Sequence, residues 1–384
     1  MSLFFLFYLL LYGGIHLYVF YRLQAAYPLS APAKTIVIGA FASMVISPVM
    51  VRLLERHGYE LPADTFAHVG YLWMGLVFVF FSTSMLLDIW RLLMHVGTWL
   101  GASSLHGWIP QGRIRLVLPL VLSLLLTGYG YAAALRVAPE TITLETDKLP
   151  QGMSRLRIAQ ISDVHLGLIV SGERLERICR VIEEANPDIL VSTGDLLDGQ
   201  LDGLASSVER IKRIQPRFGK VAVTGNHEYY AGIERCVQLT QAAGFRLLRG
   251  ERLDVGDIVR FVGVDDITGY RSGGTGFLTE ERLLAEPNPG MLTILLKHRP
   301  VVSEEALGAF DLQLSGHTHA GQILPFSLIT RLYFPYHRGL YQLPKGSALY
   351  VSRGTGTWGP PIRIGSAPEV TVIDFVRRDP EKKG

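Results

Sequence analysis

Apolar residues follow two regimes along this chain. Up to about residue 135 they come in long, nearly uncharged runs, 3–21, 33–54, 66–87 and 114–135. Each is near or above the roughly 20 residues that a helix needs to cross a bilayer, so four membrane-spanning helices are expected. Beyond them the runs shorten and alternate in kind. Residues 156–161, 188–192 and 220–223 read as buried strands; Gly172–Ala185, with Leu175, Ile178, Cys179 and Ile182 on one face, and 232–243 read as amphipathic helices. From 259 onward the strands 259–264, 291–296, 312–314, 348–351 and 370–375 are separated only by short helices. Strand–helix units followed by a strand-rich half imply an α/β unit in which two mixed sheets pack together between outer helices.

These patterns divide the chain into a membrane domain at 1–138, a linker at 139–153, a soluble domain at 154–377 and a tail at 378–384. The alternating stretch Thr141-Ile142-Thr143-Leu144-Glu145 adds a short strand to the linker and keeps the soluble domain close to the membrane. The first apolar run has no basic residue before it and no small-residue cleavage site near 18–25, so it reads as an uncleaved anchor and not as a secretory signal. His16 lies inside a span, while Asp88, Arg91 and His95 lie at a span's end and are placed at the interface. Loops 22–34 and 91–115 hold five basic residues; the opposite set, Arg52, Arg56, Arg136 and Lys148, holds four. That balance does not orient the spans, so a multi-pass protein of the cell membrane is expected, with the side of its soluble domain open.

Composition narrows the chemistry. A net charge of +3 over 384 residues, with no basic stripe interleaved with aromatics, gives no expectation of nucleic acid as a partner. The two cysteines, Cys179 and Cys236, fall in helical segments and form no CxxC pair, which indicates neither a disulfide framework nor a thiolate zinc site.

The polar positions that break the soluble pattern do so at strand ends. Asp163-Val164-His165, Gly194-Asp195-Leu196-Leu197-Asp198, Gly225-Asn226-His227-Glu228, Lys297-His298 and Gly316-His317-Thr318-His319 each end a strand or begin the loop after it. Carboxylates and imidazoles with one carboxamide suit divalent ions such as Mn²⁺, Fe²⁺ or Zn²⁺. Asp195 carries two oxygens and is placed to bridge two ions, while Asp163 with His165 and His317 with His319 turn toward them as the chain leaves the extended conformation. Each block alone is an ordinary turn or polar pair; the force is in all five occurring in order. Two ions about 3.5–4 Å apart lower the pKa of a shared water toward 7 for attack on a phosphate ester. His227, beside Asn226 but outside the ligand set, is the candidate acid for the leaving group, with Asp198 orienting it. Glu228 reads as a helix-start or supporting residue. Arg299 and Arg353 suit either phosphate binding or structural ion pairs.

The order and spacing resemble the calcineurin-like metallophosphoesterase superfamily over essentially all of 155–376. The resemblance implies the fold of that superfamily, an α/β/β/α sandwich of two mixed sheets, and two divalent ions, Mn²⁺ foremost with Fe²⁺ or Zn²⁺ as alternatives. It further implies one ion on Asp163, His165, Asp195 and His319, and the other on Asp195, Asn226, His298 and His317. Tyr350-Val351-Ser352-Arg353-Gly354-Thr355-Gly356, Pro361-Ile362-Arg363 and Pro368-Glu369-Val370 look like the YkuE-like branch, which includes transmembrane proteins with a metallophosphoesterase domain. Some members of the branch resemble hydrolases of UDP-2,3-diacylglucosamine. The apolar stretch between Gly321 and Leu343, read as irregular, offers a mouth for an acyl chain or a lip on the bilayer, with core packing as the plainer account. A membrane-anchored phosphohydrolase acting on a lipid-linked phosphodiester or pyrophosphate is therefore expected; a soluble phosphoester, and a silent membrane scaffold or sensor, are the alternatives.

Overall fold

The computed structural model describes residues 3–199, 201–271, 278–286 and 288–378, so all of the expected tail except Arg378 lies outside the described residues. The chain divides into two compact units, residues 1–132 with 359–362 and residues 133–358 with 363–384.

The first unit is helical. α1 (Leu3–Ala26), α2 (Ala31–Arg56), α3 (Glu60–Trp99) and α4 (Ile114–Ala134) are each long and apolar enough to cross a membrane. α3 continues well past the apolar run at 66–87 because nothing in 88–99 breaks a helix, so Arg91 and His95 lie on it rather than in the expected loop 91–115.

The second unit holds two six-stranded mixed sheets. Its elements are β1 (Ala138–Thr146), β2 (Arg155–Ile161), α5 (Gly172–Ala185), β3 (Ile189–Ser192), α6 (Ala205–Lys212), β4 (Lys220–Ala222), α7 (Asn226–Ala231), α8 (Ile233–Ala242) and β5 (Arg246–Leu247). They continue with β6 (Glu251–Val255), β7 (Val259–Gly263), α9 (Thr268–Arg271), α10 (Glu280–Leu284), β8 (Leu292–Leu296), β9 (Leu312–Ser315), α11 (Phe326–Tyr333), β10 (Gly339–Gln342), β11 (Ala348–Val351) and β12 (Glu369–Arg377). The strand orders are β1-β12-β2-β3-β4-β5 and β10-β11-β9-β8-β7-β6.

Strand alternation builds the layers. Leu156 and Ile158 of β2 point with Ile189 and Val191 of β3 into a core shared with Phe261, Ile294, Leu312 and Tyr350 of the other sheet. The intervening Ala159, Ile161 and Leu190 face outward onto Leu175, Ile178 and Ile182 of α5 and Val208 and Ile211 of α6. On the far side Val262, Leu295, Leu349 and Val351 pack with Leu283 and Leu284 of α10. A period of two thus gives the central strands two apolar faces, as strands covered on both sides require.

Residues 141–145, expected as a short strand within a linker, belong to the longer β1, which pairs in parallel with β12 along all nine of its positions and is an edge of the first sheet. The stretch expected to be irregular after Gly321 contains α11: Phe326, Ile329 and Tyr333 recur at helical spacing, and Pro325 and Pro335 bracket the turns. Cys179 and Cys236 are buried free thiols.

Candidate metal centre

Parallel neighbours β2, β3 and β4 end side by side, and so do β8 and β9. Their carboxyl ends deliver all five polar blocks to one place, where loops rather than strands carry chemistry. Asp163 and His165 follow β2; Asp195 and Asp198 follow β3; Asn226 opens α7 after β4; His298 follows β8; His317 and His319 follow β9.

Backbone conformation at these loops is unusual in one respect. Asp163, His165, Asp195, His317 and His319 have φ of 52°, 53°, 50°, 70° and 49°. Left-handed backbone costs a residue with a Cβ on the order of 1–2 kcal/mol, and such strain is held in place where the surroundings over-determine it. Here it takes the chain out of the extended conformation at the strand ends, where Asp163 with His165 and His317 with His319 come together. Hydrogen bonds lock the turns: His317 N donates to both Asp163 carboxylate oxygens at 3.0 Å, Ser162 Oγ to Asp163 Oδ2 at 2.6 Å, and Gly356 N to Asp163 O at 3.0 Å.

Three groups of donors converge: Asp163, His165 and His319; His165, Asp195 and His227; Asp195, His298 and His317. Ring nitrogens face one another, His165 Nε2 3.1 Å from His319 Nε2 and His298 Nε2 3.2 Å from His317 Nδ1. Asp195 Oδ2 lies 3.1 Å from His298 Nε2 and 3.9 Å from His165 Nε2, so one carboxylate belongs to two of the three groups. Asp163, His165, Asp195, Asn226, His298 and His319 are buried. Burial lowers His165 to about 4 and His317 to about 3, and holds His319 well below its ordinary value, so these imidazoles are neutral and present lone pairs. Burial also acts against a charge on His298, but Asp195 beside it pushes the ring up to about 10.

Cations fit this arrangement. Asn226 Oδ1 and His165 Nδ1 are buried without a hydrogen-bond partner, an expensive condition for polar atoms. His298 Nδ1 donates to Thr193 O at 2.8 Å, leaving Nε2 to face Asp195 and His317; an outer partner of this kind fixes the tautomer of a ligating histidine.

Comparison with known proteins agrees. The family model for calcineurin-like phosphoesterases matches residues 156–321. A metallophosphoesterase of Aquifex aeolicus is 40% identical over 253 residues, covering 66% of this chain and 97% of that protein. The chain belongs to the calcineurin-like phosphoesterase family. It is a metallophosphoesterase, a hydrolase of phosphoric esters. The metallophosphoesterase YkuE of Bacillus subtilis is 33% identical over 265 residues, covering 64% of this chain and 89% of that one. A transmembrane protein with metallophosphoesterase domain from Danio rerio is 36% identical over 282 residues; the match covers 69% of this chain and 64% of the fish protein.

Around the phosphoesterase centre the remaining sequence candidates separate. His227 Nδ1 lies 3.1 Å from Asp198 Oδ1, and its backbone N–H donates to Asp195 Oδ1 at 2.8 Å. Burial pulls His227 down, but Asp195 and the bond to Asp198 outweigh it and push the ring up to about 9. Arg299 pairs with Asp266 at 2.7 Å, and Arg353 pairs with Glu369 and with Glu140, the latter at 2.8 Å; both arginines are ion-pair partners. Glu228 is a supporting residue: its buried carboxylate accepts from Gly225 N at 2.7 Å and from Asp195 N and Leu197 N at 3.1 Å. Gly225 is glycine because a Cβ there would lie 2.2 Å from Asp195 Oδ1.

Nothing in the sequence pattern singles out the role of Arg363. It is 1% exposed, and its guanidinium donates to Gly356 O, Arg353 O, His319 O and Ser366 Oγ, tying the loop after β11 to the His319 turn. A fully buried arginine is rare without such partners. Aromatic rings edge the site: Tyr230 and Trp358, both more than half exposed, lie 5.6 and 5.7 Å from the His227 ring, and Phe334 lies 5.2 Å from His317.

Proposed function

We propose that this phosphoesterase works with two divalent ions. Asp163, His165, Asp195 and His319 hold one, and Asp195, Asn226, His298 and His317 hold the other. The observation that carries the reading is the Asp195 carboxylate shared between two imidazole-bearing groups. Mn²⁺ is the proposed metal, and Fe²⁺ or Zn²⁺ suit the same nitrogen and oxygen donors. When bound, such a pair supplies a water acidified toward neutral pH and neutralises charge on the phosphoryl oxygens. The chain's own residues do the rest. His227, held through Nδ1 by Asp198, turns Nε2 away from that carboxylate and hands its proton to the leaving oxygen. The buried walls keep bulk water from the reacting phosphorus and strengthen each charge interaction there.

The substrate we propose is a lipid-linked phosphodiester or pyrophosphate, of the UDP-2,3-diacylglucosamine type, cleaved by a multi-pass protein of the cell membrane whose residues 1–138 lie in or on the bilayer. Two features support it. Four helices are apolar enough to span a membrane. Leu328, Ile329, Leu332 and Tyr333 on α11 are all exposed, Leu332 to 84%, and the helix ends at Phe334, whose ring packs on His317. An apolar chain laid along α11 leads to the metals. The test uses the purified full chain with Mn²⁺, a bis-aryl phosphodiester and a nucleotide-linked diacyl lipid. Leu328→Ser, Ile329→Ser and Leu332→Ser together are expected to lower kcat/KM at least tenfold on the lipid alone; equal loss on both substrates would refute the lipid reading and leave the phosphoesterase standing.

A further inference from the structure

Three arginines and one aspartate meet within the helical unit, outside the phosphoesterase centre. Arg22 near the end of α1 lies 2.6 Å from Asp88 on α3, through Nη2 and Oδ2, and Arg91 Nη1 lies 3.5 Å from the other carboxylate oxygen. Tyr18 Oη donates to Asp88 Oδ2 at 2.8 Å and accepts from Arg22 at 2.7 Å. Arg22 also donates to Ser84 O at 3.3 Å and to Arg115 O, at the start of α4, at 3.4 Å. One carboxylate therefore faces two guanidinium groups, with a third arginine, Arg115, beside Arg22.

Arg22 is 7% exposed, and the Nε atoms of Arg91 and Arg115 are buried without a hydrogen-bond partner. Uncompensated, desolvated charge is costly in protein and more so beside hydrocarbon. Aromatic side chains set the depth. Trp90 Nε1 donates to Trp108 O at 3.1 Å, Arg113 stacks on Tyr27 at 4.8 Å, and Trp99 and Trp108 are 84% and 68% exposed. Tryptophan and tyrosine gather at the level of lipid headgroups. Leu86, Leu92 and Leu93 on the same helix are exposed as well.

We propose that Arg22, Arg91 and Arg115 form a binding site for the phosphate of a net-anionic phospholipid. The forked donors of arginine match phosphate oxygens, and the exposed leucines of α3 accept the acyl chains. Free phosphate shares the headgroup chemistry but lacks those chains. Asp88 is the internal competitor: it occupies Arg22 and sets how tightly the lipid is held.

The test is native mass spectrometry of the full chain released from detergent, loaded with phosphatidylglycerol, with phosphatidylcholine, or with phosphatidylglycerol challenged by excess inorganic phosphate. Wild type is expected to retain phosphatidylglycerol in preference to phosphatidylcholine and to keep it under the challenge. Each arginine near the surface changes the affinity for an anionic lipid about five-fold, so Arg91→Gln with Arg115→Gln weakens retention about 25-fold. Arg113→Gln, on the exposed stacked arginine, weakens it by no more than about five-fold. Asp88→Asn tightens it, a gain that purely structural arginines do not produce, and it decides the matter if the double variant fails to fold. Equal retention of the two lipids, displacement by inorganic phosphate, wild-type retention in a folded double variant, or no gain in Asp88→Asn would each overturn the assignment.

Discussion

Replacing Glu228 by Gln removes one oxygen from a carboxylate that serves three backbone donors. In the wild type, Oε2 accepts from Gly225 N and Asp195 N while Oε1 accepts from Leu197 N. A glutamine keeps the first two by placing its carbonyl at the Oε2 position, but its amide group then meets the Leu197 N–H donor to donor. One buried N–H left unsatisfied costs about 1–3 kcal/mol; burial and the neighbouring Asp195 push the Glu228 carboxyl up to about 7, so the two surviving bonds are only partly charge-assisted in the wild type and lose about 0.5 kcal/mol each. The sum is about 3 kcal/mol, which for a unit of this size lowers the melting temperature by roughly 6–12 °C. Asp195 stands on the loop that Glu228 holds, so Mn²⁺ affinity falls by about 10–100-fold, as for other residues that orient metal ligands. Differential scanning fluorimetry without added metal and isothermal titration with Mn²⁺ read the two effects separately. A Glu228→Gln protein that melts within about 2 °C of wild type and binds Mn²⁺ equally well would refute the idea that this carboxylate sets the Asp195 loop.

Other expectations follow from neighbouring residues. His227→Ala is expected to slow phosphodiester turnover by about 10²–10⁴-fold at unchanged metal content; turnover at the wild-type rate would remove its role as the acid. Lys220 Nζ is buried and donates to Ile211 O at 3.0 Å and Ala243 O at 2.6 Å, at the ends of α6 and α8; Lys220→Met strands those carbonyls and is expected to cost about 2–4 kcal/mol by chemical denaturation, whereas a loss under about 0.5 kcal/mol would show the bonds to be dispensable. Arg157 donates to both oxygens of Asp374, at 2.8 and 2.7 Å, and holds that carboxyl below the usual range. A depressed folded pKa gives stability that is present above the unfolded value of about 3.9 and lost as pH falls through the folded one. The melting temperatures of wild type and Arg157→Met are therefore expected to converge as pH falls below about 3.9; a constant gap would mean that the ion pair adds nothing.

The sequence made the centre legible where side-chain type and strand ends coincide. Short apolar runs placed Asp163, Asp195, Asn226, His298 and His317 in the first turns after strands, and the sheets bring those ends together. Long-range pairing was not legible: β1 lies against β12 across more than 200 residues, and alternation over 141–145 says strand without naming a partner. α11 reads as irregular in the sequence because Pro325 and Pro335 bracket it; in the structure its apolar side faces out instead of into a core. Left-handed backbone at five residues that are not glycine has no local signal, since the strain is imposed by bonds from distant loops. The same holds for Arg363, whose role shows only once the loop after β11 closes on the His319 turn.

Metal content decides the binuclear reading most directly. The purified full chain, loaded with Mn²⁺ and desalted, is measured by inductively coupled plasma mass spectrometry alongside Asp195→Asn, with hydrolysis of a bis-aryl phosphodiester followed in the same samples. Two ions per wild-type chain, with loss of metal and of turnover in Asp195→Asn, are expected of a carboxylate shared by both sites. A single ion in an active wild type, or unchanged turnover in the variant, would contradict it.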